Sequence, residues 1–180
     1  ARGRLVNAVE MAAALVALLP ASESPQATDE RWGYYCPYEL RGNVGEAELT
    51  ILLRDFDDAQ CLRRIEAIRA AAAAVEATRA GGSIRVEAEK QYANMFEALQ
   101  RSPEVLRRLE EAVRRTGIEP EYKLIRGGTD GARLTEMGVP TPNIFDGGYN
   151  YHSQLEWAAL PAMVRATQVV LNLVELWAAP

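Results

Sequence analysis

Apolar residues at helical spacing mark the beginning of the chain. The residues that follow one another by three or four positions are Leu5, Val9, Ala12, Val16 and Leu19. This spacing predicts an amphipathic helix over residues 5–19 that lies on a sheet. The same stretch imitates a secretory signal peptide, but Asn7 and Glu10 interrupt it with a polar and a charged side chain. We therefore favour the helix.

Two strand-like runs come next, after a polar loop at 21–31. They cover 34–41 and 46–54, and the short connection between them contains two glycines and an asparagine, which predicts a hairpin. A long helix should follow, with Asp57 as its N-cap. Gly81 stands where a left-handed residue would end that helix.

The apolar positions of the second helix also recur by three and four. They are Cys61, Ile65, Ile68, Ala72 and Val75. The charged positions between them, Arg64 included, are expected to point mostly outward. Alternation at 83–89 predicts a half-buried strand. The order helix, strand, strand, helix, strand would become a βαββαβ unit with one more strand before Leu5, so we expect the chain to be a fragment.

The second half alternates helices with short strands. Ser102 and Pro103 predict a helix start, with serine at the N-cap and proline at the first helical position, and Gly117 predicts its end. Short strands are predicted at 122–125 and 142–145, and further helices at 132–137 and 154–177. Two short strands do not make a free-standing sheet, so this half is also expected to be incomplete.

The composition of the chain mainly excludes classes of protein. A net charge of −5 and a pI near 5.1 argue against a nucleic-acid-binding protein, which usually has a basic face. Hydrophobic residues make up 48% of the chain, yet no run reaches the roughly 18 apolar residues of a membrane span. Cys36 and Cys61 lack a disulfide framework or a metal-type spacing, so both are expected to be reduced and partly buried.

Candidate chemistry rests on a few residues. His152 is the only histidine and ends a glycine-rich loop before a helix, a place that suits a metal ligand or a general base. An ordinary surface or hydrogen-bonded histidine is the alternative. Gly127 and Gly128 follow a predicted strand and permit close approach of a ligand, and Arg126 beside them can clamp a carboxylate. A tight turn with a solvated arginine is the alternative there.

Two further polar residues are ambiguous. Arg54 ends a predicted strand, where it either binds an anion or pairs with Asp55 or Asp57. Asn94 lies between aromatic and apolar neighbours, which indicates a specific hydrogen bond. The single histidine has no convincing nucleophile partner for a catalytic triad, and the acidic residues mostly occupy predicted helix faces.

Several segments together resemble the M20 family of zinc metallopeptidases, and within it the tripeptide aminopeptidases. They are RGGTDGA at 126–132, PTPNIF at 140–145, GGYNYH at 147–152, LRDFD at 53–57 and YANM at 92–95. The first three residues also resemble the tail of a motif in the family's lid. The resemblance implies a fold that mixes helices and strands, α/β (α+β). Residues 1–95 would be a ferredoxin-like lid or dimerisation domain without its first strand, and residues 96–180 the C-terminal segment of the catalytic domain.

The resemblance also implies roles for individual residues. His152 matches a zinc ligand, and Arg126 and Arg54 match arginines that hold the terminal carboxylate of a peptide. The remaining substrate-binding positions would be Asn94, Gly128 and Thr129. The intact enzyme would use two zinc ions to release the N-terminal residue of tripeptides or other short peptides in the cytoplasm.

The other metal ligands, the bridging aspartate and the general-base glutamate of the family have no counterpart here. One imidazole does not hold a hydrolytic zinc site, so the chain alone is expected to be inactive. Two alternatives stay open: a non-catalytic dimerisation module that pairs through an exposed sheet edge, and a related M20 carboxypeptidase or deacylase. Expected partners are a short peptide and a second copy bound through the lid sheet or the missing N-terminal half, without nucleic acid or membrane.

Overall fold

The computed structural model describes residue 2 and residues 4–179. Ala1 and Gly3, which belong to the segment compared with the lid motif, lie outside the described residues. Six α-helices and two antiparallel sheets of two strands each are present in the described part. The expected α+β class is therefore confirmed.

The chain divides into two compact units. The first comprises Ala1–Lys90 and Leu124–Gly127, and the second comprises Gln91–Lys123 and Gly128–Pro180. The identification of a lid and a catalytic segment stays a prediction.

The first unit begins with helix α1 (Ala8–Ala17). Asn7 caps it, because its side-chain oxygen accepts the N–H of Val9 at 3.0 Å. The buried face consists of Met11, Ala12 and Leu15. The prediction that Leu5 shares this face is wrong: Leu5 precedes the first helical turn and is 60% exposed.

The predicted hairpin is confirmed. Strands β1 (Tyr34–Gly42) and β2 (Ala47–Arg54) pair antiparallel, with Tyr34 opposite Arg54 and an irregularity in register between Pro37 and Glu39. Proline has no N–H to donate to a ladder, so an irregularity beside Pro37 agrees with its chemistry.

Helix α2 (Asp58–Ala77) completes the core of the first unit. Asp57 accepts the N–H of Ala59 at 2.8 Å, as the N-cap prediction requires. Gly81 is left-handed, with φ of +91°, but the prediction that it caps the helix is wrong, because the C-cap is Thr78 and Gly81 lies in the turn beyond it. The core contains Met11, Leu15, Ala72 and Val75. The outward placement of Arg64 is wrong, since its side chain is only 11% exposed and is paired with acids.

The predicted strand at 83–89 is also wrong. Ile84 and Val86 alternate as expected and pack against the core, but this segment has no ladder partner among the described residues. Alternation alone records which side chains are half-buried, whereas a strand also needs a neighbour for its backbone hydrogen bonds.

The second unit is mainly helical. Its helices are α3 (Phe96–Gln100), α4 (Pro103–Arg114), α5 (Asp130–Glu136) and α6 (Leu160–Ala178). Its core lies between α4 and α6, where Ala112, Val113 and Val169 are buried. Pro103 starts α4 as predicted, while Ser102 makes no side-chain capping bond.

The strands predicted at 122–125 and 142–145 are absent from the described structure. Tyr122 is 69% exposed, and neither segment has a ladder partner within the described part of the chain. A short ladder that sequence did not predict joins β3 (Gly148–Tyr149) to β4 (Trp157–Ala158). Helix α6 consequently starts at Leu160 rather than at 154, with a proline in its first turn.

Both cysteines are free and half-buried, as expected. No helix in the described part of the chain is long and apolar enough to cross a membrane.

Candidate functional site

Arg126 is held by four contacts within the first unit. Its Nη1 donates to the carbonyl of Thr28 at 2.5 Å, and its Nη2 donates to Thr28 Oγ1 at 2.6 Å and to the carbonyl of Trp32 at 2.9 Å. The guanidinium carbon also lies 4.7 Å from the ring centroid of Tyr34, within cation–π range. Of the five N–H groups of this arginine, three therefore donate to a polar frame, by which we mean the acceptor groups of Thr28 and Trp32.

Arg54 lies beside the same aromatic ring. It is the direct cross-strand partner of Tyr34, so both side chains project from the same face of the hairpin with Cβ atoms about 5 Å apart. Arg54 Nη1 donates to the carbonyl of Leu53 at 3.0 Å. The structure thus brings Arg54 and Arg126, two of the predicted site residues, to a common neighbour that sequence did not single out.

The carboxylate nearest to Arg54 in sequence is already engaged. Asp55 Oδ2 accepts Arg64 Nη1 at 2.5 Å, and Asp55 Oδ1 accepts the N–H of Asp57 at 3.0 Å. Arg64 also pairs with Glu23 at 2.8 Å. Burial raises the pKa of Tyr35, and the negative charge of Glu23 raises it further. This ion cluster ties the segment before β1 to the end of β2.

Gly33 permits the close approach of these segments. A Cβ at this position would lie 2.1 Å from Asp55 Oδ2 and 2.6 Å from the carbonyl oxygen of Arg54. Any larger residue would push the chain that carries Thr28 and Trp32 away from the end of β2. The segment that holds Arg126 therefore lies close to the end of β2 only because position 33 is a glycine.

Gly128 and Thr129 lie in the second unit. A Cβ on Gly128 would meet Tyr92 Cε1 at 2.1 Å, so only glycine fits against this ring. Thr129 Oγ1 is buried and has no hydrogen-bond partner among the residues that the structure describes. A buried hydroxyl without a partner is unfavourable, which makes it a candidate to bind a polar group of a ligand.

Asn94 is placed close to this turn by its neighbours. The N–H of Ala93 donates to Glu136 Oε1 at 2.5 Å, so the segment at 92–94 runs beside the segment at 128–136. The side-chain oxygen of Asn94 accepts the N–H of Phe96 at 3.0 Å. The specific hydrogen bond predicted for Asn94 is thus a local one at the start of α3.

His152 lies in an exposed loop with unusual backbone geometry. His152 and Asn150 have φ of +64° and +56°, a left-handed conformation that is uncommon for residues other than glycine. The backbone N–H of His152 donates to Glu156 Oε2 at 3.0 Å. Backbone strain of this kind often accompanies functional sites, but it identifies no ligand by itself.

The loop is closed by two further interactions. Asp146 Oδ1 accepts the Tyr151 hydroxyl and also the N–H of Gly148 at 2.9 Å. These bonds lower the pKa of Asp146, and the first of them raises the pKa of Tyr151. Tyr149 and Trp157, which face each other across the β3–β4 ladder, stack with ring centroids 4.4 Å apart. The loop is therefore held on both sides of His152.

The described residues do not by themselves make a zinc site. Zinc in proteins takes three or four protein ligands. The described part of the chain contains no group of three or more His, Cys, Asp or Glu side chains suited to a metal, and the sequence has one histidine.

Several contributors were missed by sequence reasoning. Tyr34 gave only a partial signal, because the predicted hairpin brings it near the end of β2, but its position opposite Arg54 depends on the irregularity in register between Pro37 and Glu39. Thr28 and Trp32 gave no signal, since the hydrogen bond from Arg126 to Thr28 joins residues 98 positions apart. The Tyr149–Trp157 stack depends on a two-residue ladder that is too short to show a pattern.

No family model matches the chain. Over 177 residues, 98% of its length, it is 39% identical to peptidase T of Listeria welshimeri and 38% identical to peptidase T of Geobacillus thermodenitrificans. Over 178 residues it is 36% identical to peptidase T of Clostridium perfringens. The chain spans only 43–44% of the length of these curated relatives. The chain is thus homologous to peptidase T and matches the C-terminal portion of that protein.

Proposed function

We propose that this chain is the C-terminal part of an M20-type metallo-aminopeptidase that releases the N-terminal residue of tripeptides and other short peptides in the cytoplasm. The observation that carries the proposal is the 36–39% identity to peptidase T across nearly the whole chain. The arrangement around Tyr34 supplies the chemical detail.

In this proposal, Arg126 and Arg54 bind the C-terminal carboxylate of the peptide. The guanidinium of arginine presents N–H groups in a fork that matches a carboxylate. The fork of Arg126 is engaged by the carbonyl and hydroxyl of Thr28, which are neutral acceptors. A carboxylate is a stronger acceptor, so it can replace them while the ring of Tyr34 still supports the guanidinium.

Carboxylate recognition would also explain a preference for short peptides. An enzyme that cleaves at the amino end and fixes the far carboxylate selects substrates by the distance between the two ends. Thr129 would contribute within the second unit, where its buried hydroxyl lacks a partner and can bond to a peptide group. Gly128 would allow the peptide backbone to come close.

His152 would provide one ligand to zinc, and the other ligands would come from polypeptide outside these 180 residues. The left-handed backbone at His152, braced by Glu156, supports a residue whose orientation matters. We accordingly propose that the chain alone does not hydrolyse peptides, because the described residues lack a set of metal ligands.

The test is a chimera in which the N-terminal portion of Listeria welshimeri peptidase T, the part outside the match, is joined to this chain. We expect the chimera to bind zinc and release alanine from trialanine, whereas the 180-residue chain supplied with zinc does not. In the chimera, His152→Ala should lower both the zinc content and the activity. Ser153→Ala, next to it in the same exposed loop, should change neither.

Two results would count against the proposal. A folded, zinc-loaded chimera that releases no N-terminal residue from any tripeptide rejects the aminopeptidase assignment. A His152→Ala chimera with unchanged zinc content and rate rejects the role of His152 and leaves the family assignment in place.

A further inference from the structure

Burial alternates along the segment that leads into the hairpin. Gly33 and Tyr35 are buried, whereas Trp32 is exposed and Tyr34 is half-buried. Successive side chains of an extended chain point to opposite faces, so this alternation places Trp32 and Tyr34 on one outward face. A Cβ at position 33 would lie 2.1 Å from Asp55 Oδ2, on the opposite, inward side. The segment therefore presents two aromatic side chains on the side away from Asp55.

Arg126 contacts both of these aromatic residues. Its guanidinium carbon lies 4.7 Å from the centroid of the Tyr34 ring, and its Nη2 donates to the carbonyl of Trp32 at 2.9 Å. A carbonyl oxygen lies about 3 Å from the Cβ of its own residue, so Trp32 Cβ lies within about 6 Å of Arg126 Nη2. The backbone of Trp32 is also held by its N–H, which donates to the carbonyl of Asp29 at 3.0 Å. The indole is thus attached to a fixed backbone beside the guanidinium, and Trp32 is 70% exposed.

The acceptors that hold Arg126 are uncharged. They are the carbonyl and hydroxyl of Thr28 and the carbonyl of Trp32. A carboxylate that replaces the two bonds to Thr28 leaves the bond to Trp32 in place, so the indole remains beside the bound anion. Arg54, the cross-strand neighbour of Tyr34, adds a second positive charge on the same face. Arginine side chains next to an exposed indole suit an anion that is joined to an apolar group.

The C-terminal residue of a peptide is an anion of this kind. Its Cα carries both the carboxylate and the side chain, so the first side-chain carbon lies about 2.5 Å from the carboxylate carbon. When the carboxylate is bound to Arg126, a side chain as long as that of phenylalanine extends far enough to contact the indole of Trp32. The methyl group of alanine is too short to fill the same space.

We propose that Trp32 is a specificity-determining residue, whose indole packs against the side chain of the C-terminal residue of the peptide and favours large apolar and aromatic side chains there. A basic side chain at this position would meet the positive charges of Arg126 and Arg54 and is disfavoured. This inference rests on the proposed function, because it assumes that Arg126 binds the terminal carboxylate.

The experiment measures ligand binding to the 180-residue chain, which requires no hydrolysis. Acetyl-phenylalanine, acetyl-alanine and acetyl-phenylalaninamide are titrated into ¹⁵N-labelled protein, and dissociation constants are obtained from the shifts of indole and backbone amide signals. Trp32→Ala removes the indole. Tyr38→Ala removes a 69% exposed aromatic side chain elsewhere on β1 and serves as the matched control. Circular dichroism checks that each variant is folded.

We expect acetyl-phenylalanine to bind about fivefold more tightly than acetyl-alanine and to shift the indole signal that is missing in Trp32→Ala. Trp32→Ala should bind these two ligands equally, and Tyr38→Ala should keep the preference. Acetyl-phenylalaninamide, which lacks the carboxylate, should bind more weakly than acetyl-phenylalanine.

Three results would overturn the inference. The first is equal affinity of the wild-type chain for acetyl-phenylalanine and acetyl-alanine, or no binding of either. The second is a preference for acetyl-phenylalanine that survives Trp32→Ala, because another surface would then provide it. The third is equal binding of acetyl-phenylalanine and its amide, because the aromatic contact would then not depend on the arginines.

The chimera described above separates this inference from the proposed function. A chimera that hydrolyses no peptide, made from a chain that prefers acetyl-phenylalanine through Trp32, rejects the aminopeptidase and upholds the role of Trp32. A chimera that hydrolyses trialanine and alanyl-alanyl-phenylalanine with the same kcat/KM upholds the aminopeptidase and rejects the role of Trp32.

Discussion

The two units bury their apolar residues to different extents. In the first, α1, α2 and the hairpin surround a core of Met11, Leu15, Ala72 and Val75. In the second, a small core between α4 and α6 contains Val169, while Leu160, Leu171 and Val174 on the opposite side of α6 are exposed. The core of the first unit joins two helices, with the hairpin strand β2 packed against it, whereas the core of the second joins two helices only.

The difference also separates the candidate chemistry. The arginines around Tyr34 belong to the closed first unit, where a polar frame fixes Arg126. His152 lies in an exposed loop of the second unit, and the described residues include no group of side chains that could complete a metal site around it. The two arginines proposed to bind a carboxylate thus share Tyr34 as a neighbour. His152, the proposed zinc ligand, has no set of further ligands among the described residues.

The largest expected effect tests the closure of the first unit. Arg64→Ala should lower the free energy of unfolding by about 3 kcal/mol, because it leaves the buried carboxylate of Asp55 without its charge partner. Arg69→Ala removes an exposed pair with Glu66 and should cost less than about 1 kcal/mol. Urea denaturation monitored by circular dichroism measures both. Equal losses would show that the ion cluster does not stabilise this unit.

The second prediction compares the two faces of α6. Val169→Ala should destabilise the protein by about 2 kcal/mol, since it opens a cavity in the α4–α6 core. Val174→Ala removes the same atoms from the exposed side of α6, where Val174 is 62% exposed, and should change the stability by no more than about 0.5 kcal/mol. Urea denaturation of the isolated chain gives both values. A large loss for Val174→Ala would mean that this side of α6 is covered in the isolated chain.

A smaller effect is expected in the loop of His152. Trp157→Ala removes the stack with Tyr149, which should cost about 1 kcal/mol. Backbone amide exchange at 146–156 should accelerate, while exchange in α4 and α6 stays the same. Trp157→Phe keeps an aromatic partner and should restore most of the protection. Unchanged exchange in Trp157→Ala would show that the stack does not hold the loop.

The smallest effect is a pH dependence at the start of α4. Hydrogen bonds from Arg107 and Arg108 lower the pKa of Glu104 from 4.5 to about 2. A folded-state pKa below the unfolded value means that the ionised carboxylate stabilises the fold above pH 4.5, and that this contribution is lost as the pH falls towards 2. Glu104→Gln should therefore lower the melting temperature at pH 7 and make no difference near pH 2. A constant difference across this range would contradict the assignment.

Local signals predicted much of the first unit. Helical spacing, the cap at Asp57 and the hairpin connection act within a few residues, and the structure confirms them. The predictions failed where a partner distant in sequence was needed. The segments 83–89, 122–125 and 142–145 have strand-like patterns, but the described residues provide no neighbouring strand for them.

The candidate site was also predictable only where local signals sufficed. The residue types and local contexts of Arg54, Arg126 and His152 indicate binding roles, and these roles stay predictions. The contact between Arg126 and Tyr34 and the buried unpaired hydroxyl of Thr129 depend on how segments distant in sequence meet. No spacing along the chain encodes such contacts.

The most direct test of the central claim is the discrimination between trialanine and trialaninamide by the chimera. If Arg126 binds the peptide carboxylate, the wild-type chimera should have a kcat/KM about 10- to 100-fold higher for trialanine, which corresponds to about 1.5–3 kcal/mol for hydrogen bonds to a charged group. Arg126→Ala should remove most of this difference, and Arg41→Ala, at an exposed arginine of the hairpin, should preserve it. An Arg126→Ala chimera that still discriminates fully between the two peptides would contradict the account.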